Sequence, residues 1–242
     1  PEPGPRDMRI LDETVRFVGD RVAFVAAESI TIAEQAIGLI DVEYEELPCI
    51  FDSQQSMTAG FAIHPSEGTS GIHDVEKNIA AHLDAKIGDV EAALAGSAHT
   101  FEGSYSTPFV QMAHIEPHIS LSWLDDNNRL VIRTSTQVPH HVRRIVAEVL
   151  DIPVGRIRVI KPRIGGGFGG KQEILNEEVV GAVTLKTGRP ARIEYTRAEE
   201  LFAARVRHPE LLTIQLGFDE SHLLTAIDIN ILEDCGAYGP HA

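Results

Sequence analysis

Basic residues are in short supply: 21 Lys and Arg face 36 Asp and Glu in 242 residues, a formal charge of -15. A surface of that sign repels a nucleic-acid backbone or an anionic bilayer, so neither is expected as a partner. Long apolar runs are missing as well. No stretch approaches the roughly 20 residues that span a bilayer, and no basic-then-apolar leader precedes a cleavage site, so the expected setting is the cytoplasm. Cysteine is scarce. Cys49 and Cys235 are too few for a zinc or iron–sulfur site, and two thiols in a chain this long do not make a disulfide scaffold. Both are expected to be buried and inert. A terminating pattern is lacking too: the sequence opens on Pro1 and its last stretch, Asp234 to Ala242, simply stops, so it is read as a piece of something longer.

Glycine, by contrast, is concentrated. Arg163-Ile164-Gly165-Gly166-Gly167-Phe168-Gly169-Gly170-Lys171-Gln172-Glu173 places five glycines around one phenylalanine, between the strand-like run Arg156 to Ile160 and an apolar-periodic stretch that reads as a helix. Without β-carbons the backbone can approach a ligand and adopt positive φ, so that successive N–H groups converge on an anion. A helix starting just after the loop would add its own free N–H groups. Gly165, Gly167 and Gly170 fit the G-x-G-x-x-G of a dinucleotide fold, with Glu194 near where a ribose-binding acid is expected. Gly165, Gly170 and Lys171 fit G-x-x-x-x-G-K, but Gln172 stands where a P-loop needs a hydroxyl, which counts against nucleotide triphosphate. A turn that serves packing alone is the remaining alternative, although five glycines cost backbone entropy.

Around the loop, 242 residues suffice for two folding units. Val15 to Val18 and Val22 to Ala27 read as a hairpin about Gly19-Asp20. Ser29 caps a helix carrying Ile32, Ala33, Ala36, Ile37 and Ile40, and Asp41 to Glu45 reads as a returning strand with Glu43 and Glu45 on a solvated face. Ser53 to Lys86 reads as a long link in which His64, His73 and His82 are surface residues. A short helix over Gly88 to Leu94 precedes a strand over Thr100 to Ser106. His114, Glu116 and His118 alternate, which on a strand would put two imidazoles and a carboxylate on one face, as a metal site needs. Pro117 interrupts that ladder, which counts against metal binding. Next come a hairpin around Asp125 to Asn128, a helix begun by Pro139 with Val142, Ile145, Val146 and Val149 on one side, a helix running from Ile174 to a stop at Gly188 and Pro190, a strand over Arg192 to Tyr195 and a helix over Glu199 to Ala204. Leu211 to Phe218 and Leu223 to Leu232 read as a long hairpin, with Ile227, Ile229 and Ile231 on a buried face and Asp228 and Asn230 on a wet one.

Ser135-Thr136-Gln137, the string Gly165 to Lys171 and Arg207-His208-Pro209, together with Met112 to His118, Val15 to Gly19 and Val42 to Pro48, resemble the molybdopterin-binding subunit of the xanthine dehydrogenase and aldehyde oxidase family nearly end to end. The resemblance implies an α+β chain: the end of an α/β hammerhead domain over residues 1–56, a link over 57–98, and over 99–242 the first part of a mixed α/β molybdopterin-binding domain. It implies a molybdenum–molybdopterin cofactor, in its plain or its dinucleotide form, held at Gln137, Gly166, Gly167, Phe168 and Gly169. Gln137 would hydrogen-bond the apical oxo group on molybdenum as a neutral amide donor, with the backbone at Phe168 and Gly169 as the second contact. The substrate pocket would be lined by Gln172, Glu173, His114 and Glu116. Gln172 stands where relatives acting on purines carry glutamate, and Glu173 would sit about 100° further round a helix. A purine is the first expectation; an aldehyde, nicotinate or an aromatic thioester is open. Iron–sulfur [2Fe-2S] and FAD partners in a hetero-oligomer are implied too. No residue matches the family's general base, so residues 1–242 alone are expected to be inert. Arg207-His208-Pro209 reads as a structural anchor.

Overall fold

A computed structural model describes residues 6–65 and 71–239; Pro1 and Pro240-His241-Ala242 lie outside the described residues. In chain order the elements are α1 (Ile30–Ile37), α2 (Ser53–Ser56), α3 (Val90–Ala95), β1 (His99–Thr107), β2 (Val110–Gln111), β3 (Ile119–Leu124), β4 (Leu130–Thr134) and α4 (Pro139–Val149). A 3-10 turn (Val154–Arg156) then leads to β5 (Ile157–Ile160), α5 (Glu177–Thr187), β6 (Ala191–Glu194), α6 (Arg197–Ala203), β7 (Val206–Arg207), β8 (Glu210–Phe218) and β9 (Leu224–Glu233). The backbone forms two compact units, each assembled from separated segments: one from Pro1–Met8, Glu46–Val110 and Arg207–Ala242, the other from Arg9–Glu45 and Gln111–Val206.

The second unit carries the glycine loop on a four-stranded sheet of order β5-β4-β3-β6. β4 is antiparallel to β3 and parallel to β5, while β6 runs antiparallel to β3 on its other side. Leu130, Ile132 and Ile157 of the sheet pack with Val142 and Val146 of α4 into one core. Pro139 begins that helix, where its missing N–H costs nothing. α5 comes close to the same strands because the facing residues are small: a β-carbon on Gly181 would lie 3.2 Å from Leu130 and 2.9 Å from Leu150. Hydroxyls fill the polar part of this contact. Ser122 Oγ donates to the Val180 carbonyl at 2.7 Å, and Ser120 Oγ donates to Asn176 Oδ1 at 2.5 Å. α5 ends at Gly188 in the left-handed region, φ 68°, as a glycine stop should.

Expectations for the strands of this unit, and for the two cysteines of the other, need correction. The runs over residues 15–18, 22–27 and 41–45 are not strands, for a strand needs a partner and none lies beside them among the described residues. Val18 and Leu39 accordingly stay more than four-fifths exposed, and α1, although capped by Ser29, buries no residue. Cys49 is exposed rather than buried, and Cys235 is half-buried. What ties the 9–45 segment to its unit is polar: Arg21 donates to Glu178 Oε1 at 2.5 Å and to the Leu175 carbonyl. The carboxyl of Glu178 is pushed above its ordinary range by burial, despite that arginine.

In the first unit β1, β8 and β9 form an antiparallel sheet in which the expected hairpin is present. Register aligns Phe101, Leu216 and Ile227 across the three strands, and Tyr105, Leu212 and Ile231 likewise. The isoleucine face is not buried as expected: Ile227, Ile229 and Ile231 are each about half exposed, since nothing among the described residues of this unit covers it. His64 is also a correction. It is buried, with Nε2 2.6 Å from the Ala237 carbonyl, whereas His73 and His82 lie at the surface as expected. The link is pinned by Asn78, whose side chain donates to the Ser56 and Phe61 carbonyls and accepts from the Ile63 N–H. His208 pairs with Glu233 at 2.5 Å, which suits a structural anchor.

Candidate functional site

β4 ends at Thr134, and the chain must turn before Pro139 can begin α4, so Gln137 falls at a strand-to-helix junction. Its N–H donates to the Lys171 carbonyl at 2.8 Å, which anchors the junction to the end of the glycine loop. Its side-chain oxygen accepts the N–H groups of Gly169 at 3.1 Å and Lys171 at 3.2 Å. Two donors on one atom fix which end of the amide is oxygen. The Nε2 end therefore points the other way, and it donates to no group among the described residues. The loop fits around this amide only without side chains. A β-carbon on Gly167 would lie 2.4 Å from Gln137 Oε1, and one on Gly165 would lie 2.6 Å from Glu116 Cβ. Gly166 and Gly169 take φ of 98° and 96°, and Phe168 itself takes 50°, with its ring largely in solvent.

Behind the loop lies a charged clamp. Lys171 is 1 % exposed, and its Nζ donates to the carboxylate and to the carbonyl of Glu116, both at 2.8 Å. The same carboxylate accepts the Gly165 N–H at 2.9 Å, so one side chain holds both ends of the loop. Burial pushes the Glu116 carboxyl up, but Lys171 and the Gly165 N–H outweigh it and the net position is below the ordinary value. His114 Nδ1 meets the Glu116 carbonyl at 2.7 Å.

The alternation expected at residues 114–118 does not survive. Ala113 is left-handed, φ 49°, and the segment is not a strand. His114 and His118 turn inward to a carboxylate that sequence reasoning missed, Glu200 of α6, while Glu116 turns to the loop. His118 Nδ1 lies 2.8 Å and His114 Nε2 3.2 Å from Glu200 Oε1, and the His118 N–H donates to Oε2 at 2.8 Å. All three side chains are buried. Burial raises the Glu200 carboxyl and the His118 hydrogen bonds lower it further, leaving it below the ordinary value; burial lowers His114.

Of the residues named from sequence, Gln137, Gly166, Gly167, Phe168 and Gly169 come together, and His114 and Glu116 lie directly behind them. The Gly169 N–H, expected to face a ligand, is engaged by Gln137. Gln172 is exposed beside the loop, whereas the Glu173 carboxylate pairs with Arg205. Residues 172–174 are not helical, so the expected 100° step between those two side chains has no basis. The helix after the loop starts only at Glu177, whose carboxylate already accepts the N–H groups of Leu175 and Asn176. Glu194 is tied to Arg192, and β6 lies across β4 and β3 from β5, so loop and acid are not adjacent as a dinucleotide fold requires.

A family model described as the molybdopterin cofactor-binding domain matches residues 72–242. The chain belongs to that family, within the molybdenum hydroxylases. A second model, the aldehyde oxidase and xanthine dehydrogenase a/b hammerhead domain, matches residues 2–48. The probable hypoxanthine oxidase XdhD of Escherichia coli K12 is 37% identical over 270 residues, covering 100% of this chain and 28% of that protein. The putative xanthine dehydrogenase molybdenum-binding subunit XdhA of the same strain is 35% identical over 236 residues, covering 97% of this chain and 30% of that protein. The structure of quinoline 2-oxidoreductase from Pseudomonas putida 86 superposes with a TM-score of 0.73 at 30% identity, over 94% of this chain and 28% of that one. The molybdenum hydroxylase chain described here thus spans somewhat under a third of the length of these relatives. Among its described residues no helix is long and apolar enough to cross a membrane.

Proposed function

We propose that these residues hold the molybdenum–molybdopterin cofactor by one of its oxygen substituents, within a hydroxylase that acts on a purine or related heteroaromatic ring with water as oxygen source. The observation that carries this reading is the Gln137 amide, its oxygen locked by two loop N–H groups so that its Nε2 donor is left with no acceptor among the described residues. A neutral N–H donor suits an oxygen ligand of a cofactor, and Gly169, where an added β-carbon would meet nothing within 4 Å, leaves the backbone open beside it. Oxygen insertion and the acceptance of two electrons are chemistry that the cofactor supplies when bound. The chain's own part is to bind and orient: Gln137 donates, the glycines admit close approach, and the exposed ring of Phe168 forms a wall at the loop's tip. Gln172 is offered to substrate, while Glu173 is neutralised by Arg205 and shapes the wall indirectly. His114 and Glu116 support the loop from behind. Electrons would pass to [2Fe-2S] and FAD partners in a cytoplasmic hetero-oligomer.

The test is Gln137→Ala in the protein isolated with its natural partner chains. We expect at least about a tenfold fall in turnover of hypoxanthine or in molybdenum per subunit, as for loss of one oriented donor. Unchanged turnover at full molybdenum content would remove the assignment.

A further inference from the structure

Three side chains able to ligate a metal meet behind the loop: His114, His118 and Glu200 each offer one donor atom within 4.8 Å of the others. They come from two separate places, the irregular segment before β3 and the first turn of α6, and they are 2 %, 3 % and 0 % exposed. Polar groups buried to that degree have to be matched to one another, and one contact here is not. The Glu116 carbonyl is an acceptor alone, so His114 Nδ1, 2.7 Å away, carries the hydrogen of its ring. His114 Nε2 then holds a lone pair, and it lies 3.2 Å from Glu200 Oε1. Burial keeps that imidazole toward its neutral form. The Glu200 carboxyl, raised by burial, is brought below its ordinary value by the hydrogen bonds from His118. A lone pair and a carboxylate oxygen therefore stand side by side with no proton between them and no bulk water to separate them.

A metal ion resolves that contact. Ligand atoms held at about 2.0–2.2 Å from one ion lie roughly 2.8 to 3.6 Å from each other. Glu200 Oε1 is 3.2 Å from His114 Nε2 and 2.8 Å from His118 Nδ1, inside that range. His118 Nε2 is buried with no partner among the described residues, so the ring's hydrogen can sit there, at no loss of a bond, while Nδ1 gives its lone pair. The surroundings orient the ligands: His114 is steered by its Nδ1–H on a backbone carbonyl, and the His118 N–H holds Glu200 Oε2 at 2.8 Å. Two imidazoles and a carboxylate suit zinc, or ferrous iron where positions stay open to a substrate, and burial of all three closes this site in favour of zinc.

We propose that His114 Nε2, His118 Nδ1 and Glu200 Oε1 bind a zinc ion, with a water as the remaining ligand. The ion braces the glycine loop from behind. It holds the His114 ring, whose Nδ1–H holds the Glu116 carbonyl, and the Glu116 carboxylate accepts from Gly165 and Lys171. None of the three ligands is among the residues that face the loop's own ligand, so the site stands whatever that ligand is.

The test is metal content in the protein isolated with its natural partner chains, dialysed against a chelator, then against micromolar zinc chloride, and washed. Zinc held by the partner chains is the same in every variant, so differences report on this chain. The parent is expected to carry about one zinc per chain more than Glu200→Gln or His118→Phe. The zinc-edge X-ray absorption spectrum of the parent is expected to show nitrogen and oxygen neighbours at about 2.0–2.1 Å, with imidazole scattering and no sulfur. That spectrum decides the matter if neither variant folds. Removing zinc from the parent is expected to speed hydrogen exchange over residues 163–173 by about tenfold and to leave residues 119–134 as they were. The proposal is overturned if the parent takes up no zinc, if both variants keep as much as the parent, which marks an adventitious ion only, or if the zinc neighbours lack imidazole. Loop exchange that ignores zinc would remove the bracing role.

Discussion

Gly167 and Lys171 are four positions apart and fail in different ways when replaced. A methyl at Gly167 would sit 2.4 Å from Gln137 Oε1, so Gly167→Ala must displace the amide that the loop organises. We expect molybdenum content to drop by about tenfold while circular dichroism is unchanged, since the clash is confined to one turn. Lys171→Met instead removes the buried partner of an ion pair and leaves the Glu116 carboxylate, 32% exposed, without its cation. With that carboxylate partly in water, the expected cost is about 2 kcal/mol in urea unfolding. Acid acts on the same side chains. The Glu116 and Glu200 carboxyls lie below the ordinary value of 4.5 in the folded protein, so their stabilisation is complete above that value and is lost as pH falls through their folded values. Glu116→Gln should therefore lose less of its remaining stability than the parent between about pH 6 and about pH 3. Gln137 and the glycines were legible in the sequence because type and spacing alone announce them. Glu200 was not, because 82 residues separate it from the His118 N–H it accepts, and an acid in the first turn of a helix has a sufficient local explanation in the dipole.

Elements whose ends are written in local chemistry were the easiest to place. Ser29, Pro139 and Gly188 mark helix ends in the sequence and do so in the structure. The β3–β4 and β8–β9 hairpins were equally legible from alternation on both sides of a polar turn. Residues 15–27 have the same β-capable composition but no partner strand beside them, and composition cannot supply one. The start of α5 was misplaced for a related reason: Ile174 and Leu175 keep helical spacing, yet the chain first bends so that Glu177 can accept two N–H groups and the Thr134 hydroxyl, which donates to it at 2.6 Å. The shared core of sheet and α4 gives the element-scale test. Ile132 is 0 % exposed, and Ile132→Ala should cost about 3 kcal/mol, read as a shift in urea midpoint at constant slope.

Across the whole molecule, charge and apolar surface pull in opposite directions. A formal charge of -15 works against compactness, and salt at about 0.2 M should raise the thermal midpoint by screening it. That same repulsion keeps copies of the chain from meeting through the half-exposed ridge of Ile227, Ile229 and Ile231. Near the isoelectric point of about 5.1 the repulsion vanishes while the ridge remains. Light scattering should then detect clouding of residues 1–242 at that acidity, and a lysine placed at Ile229 should keep the solution clear.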